Sequence, residues 1–324
     1  VAQTIGTGLE IDVTRRHWNL LPIVLALSLG GAAPALGQTM VQPLPVNIPA
    51  EDNLDSTAQQ QMGEFVAAHK PRLSGDAVDV KRSRDALLQP LQGPRVTVRF
   101  RLAYAGLLND SLRELAKAKN DQHAVSALRI AGELATPSSI LIIRPALSDE
   151  RPAVRYASAF AAARVFDAVA RHDAAPTFEQ LSGLLRDLNT LLAQENDQLV
   201  VDGLLLAFGA AAKVPEAKFK DQSLRAAAID QLATTGSARL GAIAKAASPC
   251  DSLQVFQRAT RAMRDALTDI AQPKLPAPVL AKISAFADEV LKAASALEKA
   301  TPPCEPALLK SARDAAEAVK KFAN

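Results

Sequence analysis

The residues best able to do chemistry are few and scattered. The chain has 324 residues and four histidines, and His17, His69, His123 and His172 each stand apart from Cys, Asp or Glu at the spacings that hold a metal ion. For each, a solvated helix end is the plainer reading. No G-x-S-x-G elbow, P-loop, dinucleotide-binding glycine fingerprint or H-E-x-x-H helix is present. Gly236-Ser237 interrupts a helical pattern with no strand before it, so it is not a nucleophile elbow. The sequence therefore predicts no catalytic residue, no metal and no cofactor. Carboxylates that only the fold brings together leave no local trace. A hydrolytic or lytic enzyme of the cell envelope, with acidic groups in a helical groove, accordingly stands as the alternative to a non-enzyme.

The two cysteines say more. Cys250 follows Pro249 and precedes Asp251; Cys304 follows Pro302-Pro303 and precedes Glu305. Each opens a helical pattern, and one antiparallel helix separates the two, so their first turns fall at the same end. That placement predicts a bridge in an oxidising compartment, the other reading being two buried free thiols.

Such a compartment is what the N-terminal region predicts. Arg15, Arg16 and His17 precede an apolar run over residues 18–29, followed by Gly30-Gly31 and small residues ending Ala35-Leu36-Gly37. Basic, apolar and small segments in that order read as a secretory signal peptide, residues 1–37, cleaved after Gly37. A retained anchor is the other reading, but Asn19, Pro22 and Gly30-Gly31 interrupt the run, which is shorter than the roughly 20 residues of a spanning helix. No stable membrane span is expected after cleavage, and the predicted location is periplasmic or secreted. Residues 1–12 add nothing that a signal needs, which places the expected translation start at Val13. Residues 38–51 carry three prolines without helical period and are predicted to be a disordered linker.

The formal charge is +3, with 48% hydrophobic and 4% aromatic residues. Such an apolar fraction excludes a disordered chain. The small charge, without Lys/Arg clusters, excludes a dedicated nucleic-acid binder. Many Ala and Leu with few aromatics disfavour sandwiches and barrels, and the fold class is all-α.

Individual helices are clearly written. Thr177 and Gln180 form a capping box before Phe178, Leu181, Leu185, Leu188 and Leu192, a one-sided apolar face. Residues 151–172 instead are apolar around most of the circumference, as expected of a helix packed on more than one side. Val96, Val98, Phe100 and Leu102 alternate like a strand, yet the pattern continues into Leu107, Leu108, Leu112 and Leu115 at helical spacing, so helix is predicted. Residues 120–128 and 196–204 align without a gap, 76 positions apart, twice the length of one helical-pair repeat.

The stretch containing Leu147, Asp149, Val154, Arg155 and Ala157 resembles the HEAT repeat, whose inter-helix turn carries an Asp and whose second helix opens with Val-Arg and small residues. Leu224-Arg225-Ala226-Ala227 is a looser copy, while Ser126 and Asp202 replace the Arg in two others. The resemblance covers residues 95–247, after N-terminal helices in residues 52–94. It implies a solenoid of stacked helix pairs in which Asp149, Val154 and Arg155 are structural, Arg155 bonding to turn carbonyls or to Asp149. It also implies that second helices line a concave side, which makes Arg129, Arg164 and Arg171 the candidate partner contacts, a solvated helix face being the plainer alternative. The function so implied is a non-enzymatic scaffold binding an envelope protein or polymer.

After Pro249 the pattern becomes coiled-coil-like: Leu253, Phe256, Met263, Leu267 and Ile270, then Val279, Ile283, Phe286, Val290 and Leu297, then Leu308, Ala312, Ala315, Val319 and Phe322. Residues 248–324 are predicted to form an antiparallel three-helix unit, either a separate bundle or the cap of the stack.

Overall fold

The computed structural model describes residues 42–172, 175–220 and 222–324. The predicted signal peptide lies outside the described residues, as do residues 38–41 of the predicted linker. Twelve α-helices are found among the described residues: α1 (Ser56–His69), α2 (Ala77–Leu88), α3 (Val98–Ala116), α4 (Asp121–Leu134), α5 (Pro137–Ala146), α6 (Pro152–Arg171), α7 (Phe178–Gln194), α8 (Gln198–Ala211), α9 (Leu224–Gly241), α10 (Pro249–Thr268), α11 (Ala277–Glu298) and α12 (Pro306–Ala323).

Their starts follow two rules. Asp55, Asp76, Thr97, Asn120, Thr136, Thr177, Asp197 and Ser223 each accept a hydrogen bond from a first-turn amide, satisfying donors that a helix N-terminus leaves without partners. The predicted Thr177/Gln180 capping box is formed. By contrast α6, α10, α11 and α12 have no side-chain cap and carry a proline in the first two positions, where its missing N–H costs nothing. The strand-like alternation before α3 is resolved by Thr97, which caps the helix at Phe100 N. Leu102 and Leu107 point to solvent, while Phe100, Tyr104, Leu108 and Leu112 form the buried stripe.

Consecutive helices pair, and the pairs stack in two layers. One layer runs α1, α3, α5, α7, α9, α11 and the other α2, α4, α6, α8, α10, α12, each helix touching the next in its layer. The stack thus extends past both ends of residues 95–247. The α9/α10 pair straddles the boundary drawn at 247, and the C-terminal helices pack in the same two layers: α10 on α8 and α12, and α11 on α9 and α12. Ile270 and Phe322, placed on the predicted seams, are exposed; Leu309 and Ala316 occupy the buried seam of α12.

Helix α6 is the centre of its layer, with α4 on one side and α8 on the other. Its Ala157, Ala159, Ala161, Ala162 and Ala163 are buried. A Cβ on Gly132 of α4 would sit 2.8 Å from Ala161 Cα and 2.9 Å from its carbonyl oxygen, so the two backbones approach as closely as they do only because both sides are small.

Residues 42–51 are not the unattached linker predicted from three prolines. Leu44 and Ile48 are buried in the common core, Ile48–Ala50 form a 3-10 turn, and Thr97 donates from its amide to Pro49 O at 2.9 Å and from its hydroxyl to Glu51 O at 3.0 Å. Two apolar side chains and the cap residue of α3 dock a segment whose composition alone reads as extended.

Candidate binding surface

The HEAT-like turn builds a network of arginines on carbonyl groups. Asp149 sits between α5 and α6, and its Oδ1 accepts from the Arg151 amide at 2.9 Å and from Arg151 Nε at 2.8 Å, with Arg151 Nη2 donating to Oδ2 at 2.9 Å. The Arg151 guanidinium holds the Asp149 carboxyl below the usual carboxylate range, overcoming partial burial. Its Nη1 reaches across to Ala118 O at 2.8 Å, just beyond the end of α3. Val154 is fully buried. Arg155 donates to the turn carbonyls Asp149 O and Glu150 O at 3.0 and 2.9 Å, and also to both carboxylate oxygens of Glu195, at 2.6 and 3.1 Å.

Glu195 is 5% exposed and accepts in addition from the amides of Asn196 and Asp197, both at 2.9 Å. Burial pushes its carboxyl up, but Arg155 and the two amides outweigh that and hold it below its ordinary value. The same device recurs where helices end. Arg101 of α3 donates to Glu133 O, and Arg225 of α9 donates to Ala266 O and, at 2.8 Å, to Pro273 O. Arg239 donates to Leu192 O and Glu195 O at 2.9 and 2.6 Å. Each guanidinium satisfies carbonyls that a helix C-terminus leaves without intrahelical donors.

Sequence reasoning missed Glu195, Arg151, Arg101 and Arg239. The position equivalent to Glu195 in the earlier aligned copy is Lys119, so internal repetition gives no sign of it. Arg225 was visible as a looser copy of Arg155, yet it bonds forward to the α10–α11 connection rather than back to its own turn.

The three candidate contact arginines do not form one cluster. Arg164 pairs with Glu133 of α4 and lies 3.5 Å from Asp167. Arg129 is exposed, with no ion pair among the described residues. Arg171 ends α6, exposed, its Nε bonded to Asp167 O of its own helix at 3.2 Å. What the second-layer surface does gather is apolar. Tyr156 of α6 is 39% exposed and rests over Gly203 of α8, where a Cβ would meet its ring at 3.1 Å; one turn away Leu199 is 71% exposed. Half-buried Phe160 and Leu206 continue these two faces, and Asp202 of α8 accepts from Nε and Nη2 of Arg258 of α10 at 2.7 and 3.0 Å.

A cleft of about 560 Å³ on the turn side holds two carboxylates, Asp187 and Glu195. Arg144 binds the first and Arg155 the second, so both serve as ion-pair acceptors. Cys250 and Cys304 are joined by a disulfide with Cα atoms 5.5 Å apart, tying the first turn of α10 to the segment just before α12, whose N-cap is Glu305. No group of three or more His, Cys, Asp and Glu able to hold a metal ion occurs among the described residues, and none of their helices is long and apolar enough to cross a membrane.

Neither a known family model nor a curated protein matches the sequence. Among solved structures, the chain is similar to an engineered protein solved by the Northeast Structural Genomics Consortium, with TM-score 0.46, 18% identity, and 79% of this chain and 97% of that one covered. It is similar also to an archaeal HEAT-like repeats protein from Thermococcus onnurineus, at TM-score 0.44 and 14% identity over 83% and 90% of the two chains. A designed armadillo repeat protein in complex with the peptide (KR)4 gives TM-score 0.44 and 18% identity over 78% and 98%.

Proposed function

We propose that this chain is an exported, non-enzymatic helical-repeat scaffold that binds a protein of the cell envelope through the outer surface of the layer containing α4, α6 and α8. The observation that carries this reading is the exposure of Tyr156, which rests over Gly203 of α8, and of Leu199 one turn from that glycine, with the Asp202–Arg258 pair on the same helix. An aromatic and an aliphatic side chain left to water beside charged neighbours form the apolar centre and polar rim of a protein contact. The arginine–carbonyl contacts hold the helices beneath it, so the surface is preorganised and loses little freedom on binding. Export rests on the order of residues 15–37 and accords with the Cys250–Cys304 disulfide.

The test is recovery of partners from an envelope fraction on immobilised protein, read by mass spectrometry. Tyr156→Ala with Leu199→Asp should abolish recovery of the specific partner, while Leu141→Asp, an equally exposed leucine in the other layer, should leave it intact. Equal recovery by all three proteins would remove this surface from the reading. Intact mass of protein from a periplasmic extract should begin at Gln38.

A further inference from the structure

A cavity of about 380 Å³ opens where the start of α3, the end of α6 and the connection between α8 and α9 meet, and its described lining is strongly basic. Among the described residues, Arg95, Arg99, Arg171 and Lys218 face it together with one carboxylate, Asp52. Arg95 is paired with Asp52 at 2.6 Å, and Arg99 reaches Asn53 Oδ1 at 3.2 Å. The other two cations keep free donors. Arg171 uses only Nε, on its own helix, which leaves both terminal nitrogens of its fork without an acceptor among the described residues. Lys218 uses one Nζ proton on His172 O at 2.7 Å.

Arg101 is buried nearby; burial first, and the charge of Arg171 with it, hold its pKa down to about 10 against the opposing pull of Glu133. Val98 and Arg99, first in a 19-residue helix, line the cavity, and Thr97 caps the amide of Phe100 rather than theirs. Like charges confined around one cavity repel, and an anion placed among them relieves that repulsion. A guanidinium fork with two free nitrogens matches a carboxylate, and a helix N-terminus favours the same charge.

One face of α6 carries both Tyr156 of the proposed binding surface and Arg171 of the cavity. Tyr156, Phe160, Arg164, Asp167 and Arg171 follow one another at steps of three and four, so they form one stripe along α6 from the apolar pair to the basin. Fifteen residues of helix span about 22 Å at 1.5 Å each, which an extended peptide covers in about seven residues. We infer that the basin binds the acidic side chains of an extended peptide segment in the partner, about seven residues along from the apolar residue that covers Tyr156 and Leu199. This rests on the surface reading above and adds to it the charge and spacing of the segment recognised.

The experiment uses the full chain and two fluorescein-labelled peptides, an acidic one rich in Asp and Glu and its Lys-substituted counterpart, read by anisotropy. The acidic peptide should bind at least tenfold tighter than the Lys peptide and weaken steeply with salt. Arg171→Ser with Lys218→Ser should lower its affinity at least tenfold at an unchanged melting temperature, and Arg95→Gln, on the opposite wall, should lower it less. Arg186→Ser, exposed on α7 in the other layer and outside the basin, should have no effect. Equal binding of both peptides, or full affinity in the double variant, overturns the assignment. So does inorganic phosphate binding more tightly than the peptide, which would make the basin a small-oxyanion site. Tyr156→Ala with Leu199→Asp leaves the basin intact. Loss of the partner there with the acidic peptide still bound supports both readings, whereas an unaffected partner with the peptide still bound removes the apolar surface alone.

Discussion

The middle of the stack and its C-terminal end are held by different means. From α3 to α9 nearly every helix begins with a side-chain cap, and Arg101, Arg151, Arg155 and Arg239 join neighbouring helices through carbonyl oxygens. In α10, α11 and α12 no N-terminus has a side-chain cap, each starts with a proline in its first two positions, and a disulfide joins two of them. In a repeat protein stability is roughly a sum of repeat and interface terms, so helices that lack side-chain caps open more easily than capped ones. The covalent link between Cys250 and Cys304 offsets that difference in the C-terminal helices.

The largest expected effect follows from that link. Cys250→Ser with Cys304→Ser, or reduction, restores the freedom of a loop of 54 positions, for which the chain-entropy model gives about 4 kcal/mol. The loss should be regional: hydrogen exchange should rise in α10, α11 and α12 and stay low in α4 and α6. Uniform acceleration through the stack would show that the two regions unfold together and that the comparison has no energetic content.

Glu195 tests the middle in the same way. Removing one partner of a buried, hydrogen-bonded ion pair costs about 3 kcal/mol, so Arg155→Ala should approach that, read by chemical denaturation. Because the folded-state pKa of Glu195 is depressed, its contribution is complete above its unfolded value of about 4.3 and is lost as the pH falls through the folded value. Glu195→Gln should therefore flatten the fall in stability below about pH 4. An unchanged acid limb in the variant would mean that the Arg155–Glu195 pair does not carry the acid sensitivity of the central stack.

Gly132 sharpens the packing side of the comparison. A larger side chain there meets the backbone of Ala161, which cannot rotate away, and overpacking of this kind costs about 2 kcal/mol. Gly132→Val should lower the melting temperature. Gly106→Val, at a glycine with open space around it, should leave stability unchanged or slightly raised, because valine has the better helix propensity.

These same contacts explain which parts of the fold were legible in the sequence. Periodicity along one helix exposes its buried face, so α7 with its Thr177/Gln180 box and the nearly all-round apolar α6 could be read directly, while the placement of Asp149, Val154 and Arg155 was implied by the resemblance to the HEAT repeat. The Cys250–Cys304 placement was legible because it follows from the direction of helices alone. Glu195 was not, since its partner lies 40 residues earlier and its repeat equivalent is Lys119. The basic basin was invisible for the same reason: Arg95, Arg171 and Lys218 come from three separate segments. Residues 42–51 misled because proline content reports backbone stiffness and says nothing of whether Leu44 and Ile48 find a core.

The smallest expected effect concerns how helices begin. Thr97 accepts from Phe100 N at 3.2 Å and also donates to Glu51 O, so its hydroxyl both caps α3 and docks the preceding segment. Ser248 stands at the same point of α10 and makes no side-chain cap bond. Both are residue types favoured at a helix start, so sequence alone ranks them alike. The structure predicts a difference: Thr97→Ala should cost about 1 kcal/mol, while Ser248→Ala should stay within about 0.5 kcal/mol. Thr97→Ser, which keeps the hydroxyl, should recover most of the loss. Equal costs at the two positions would show that α10 does rely on a cap, and that proline at its first position is not what sets its start.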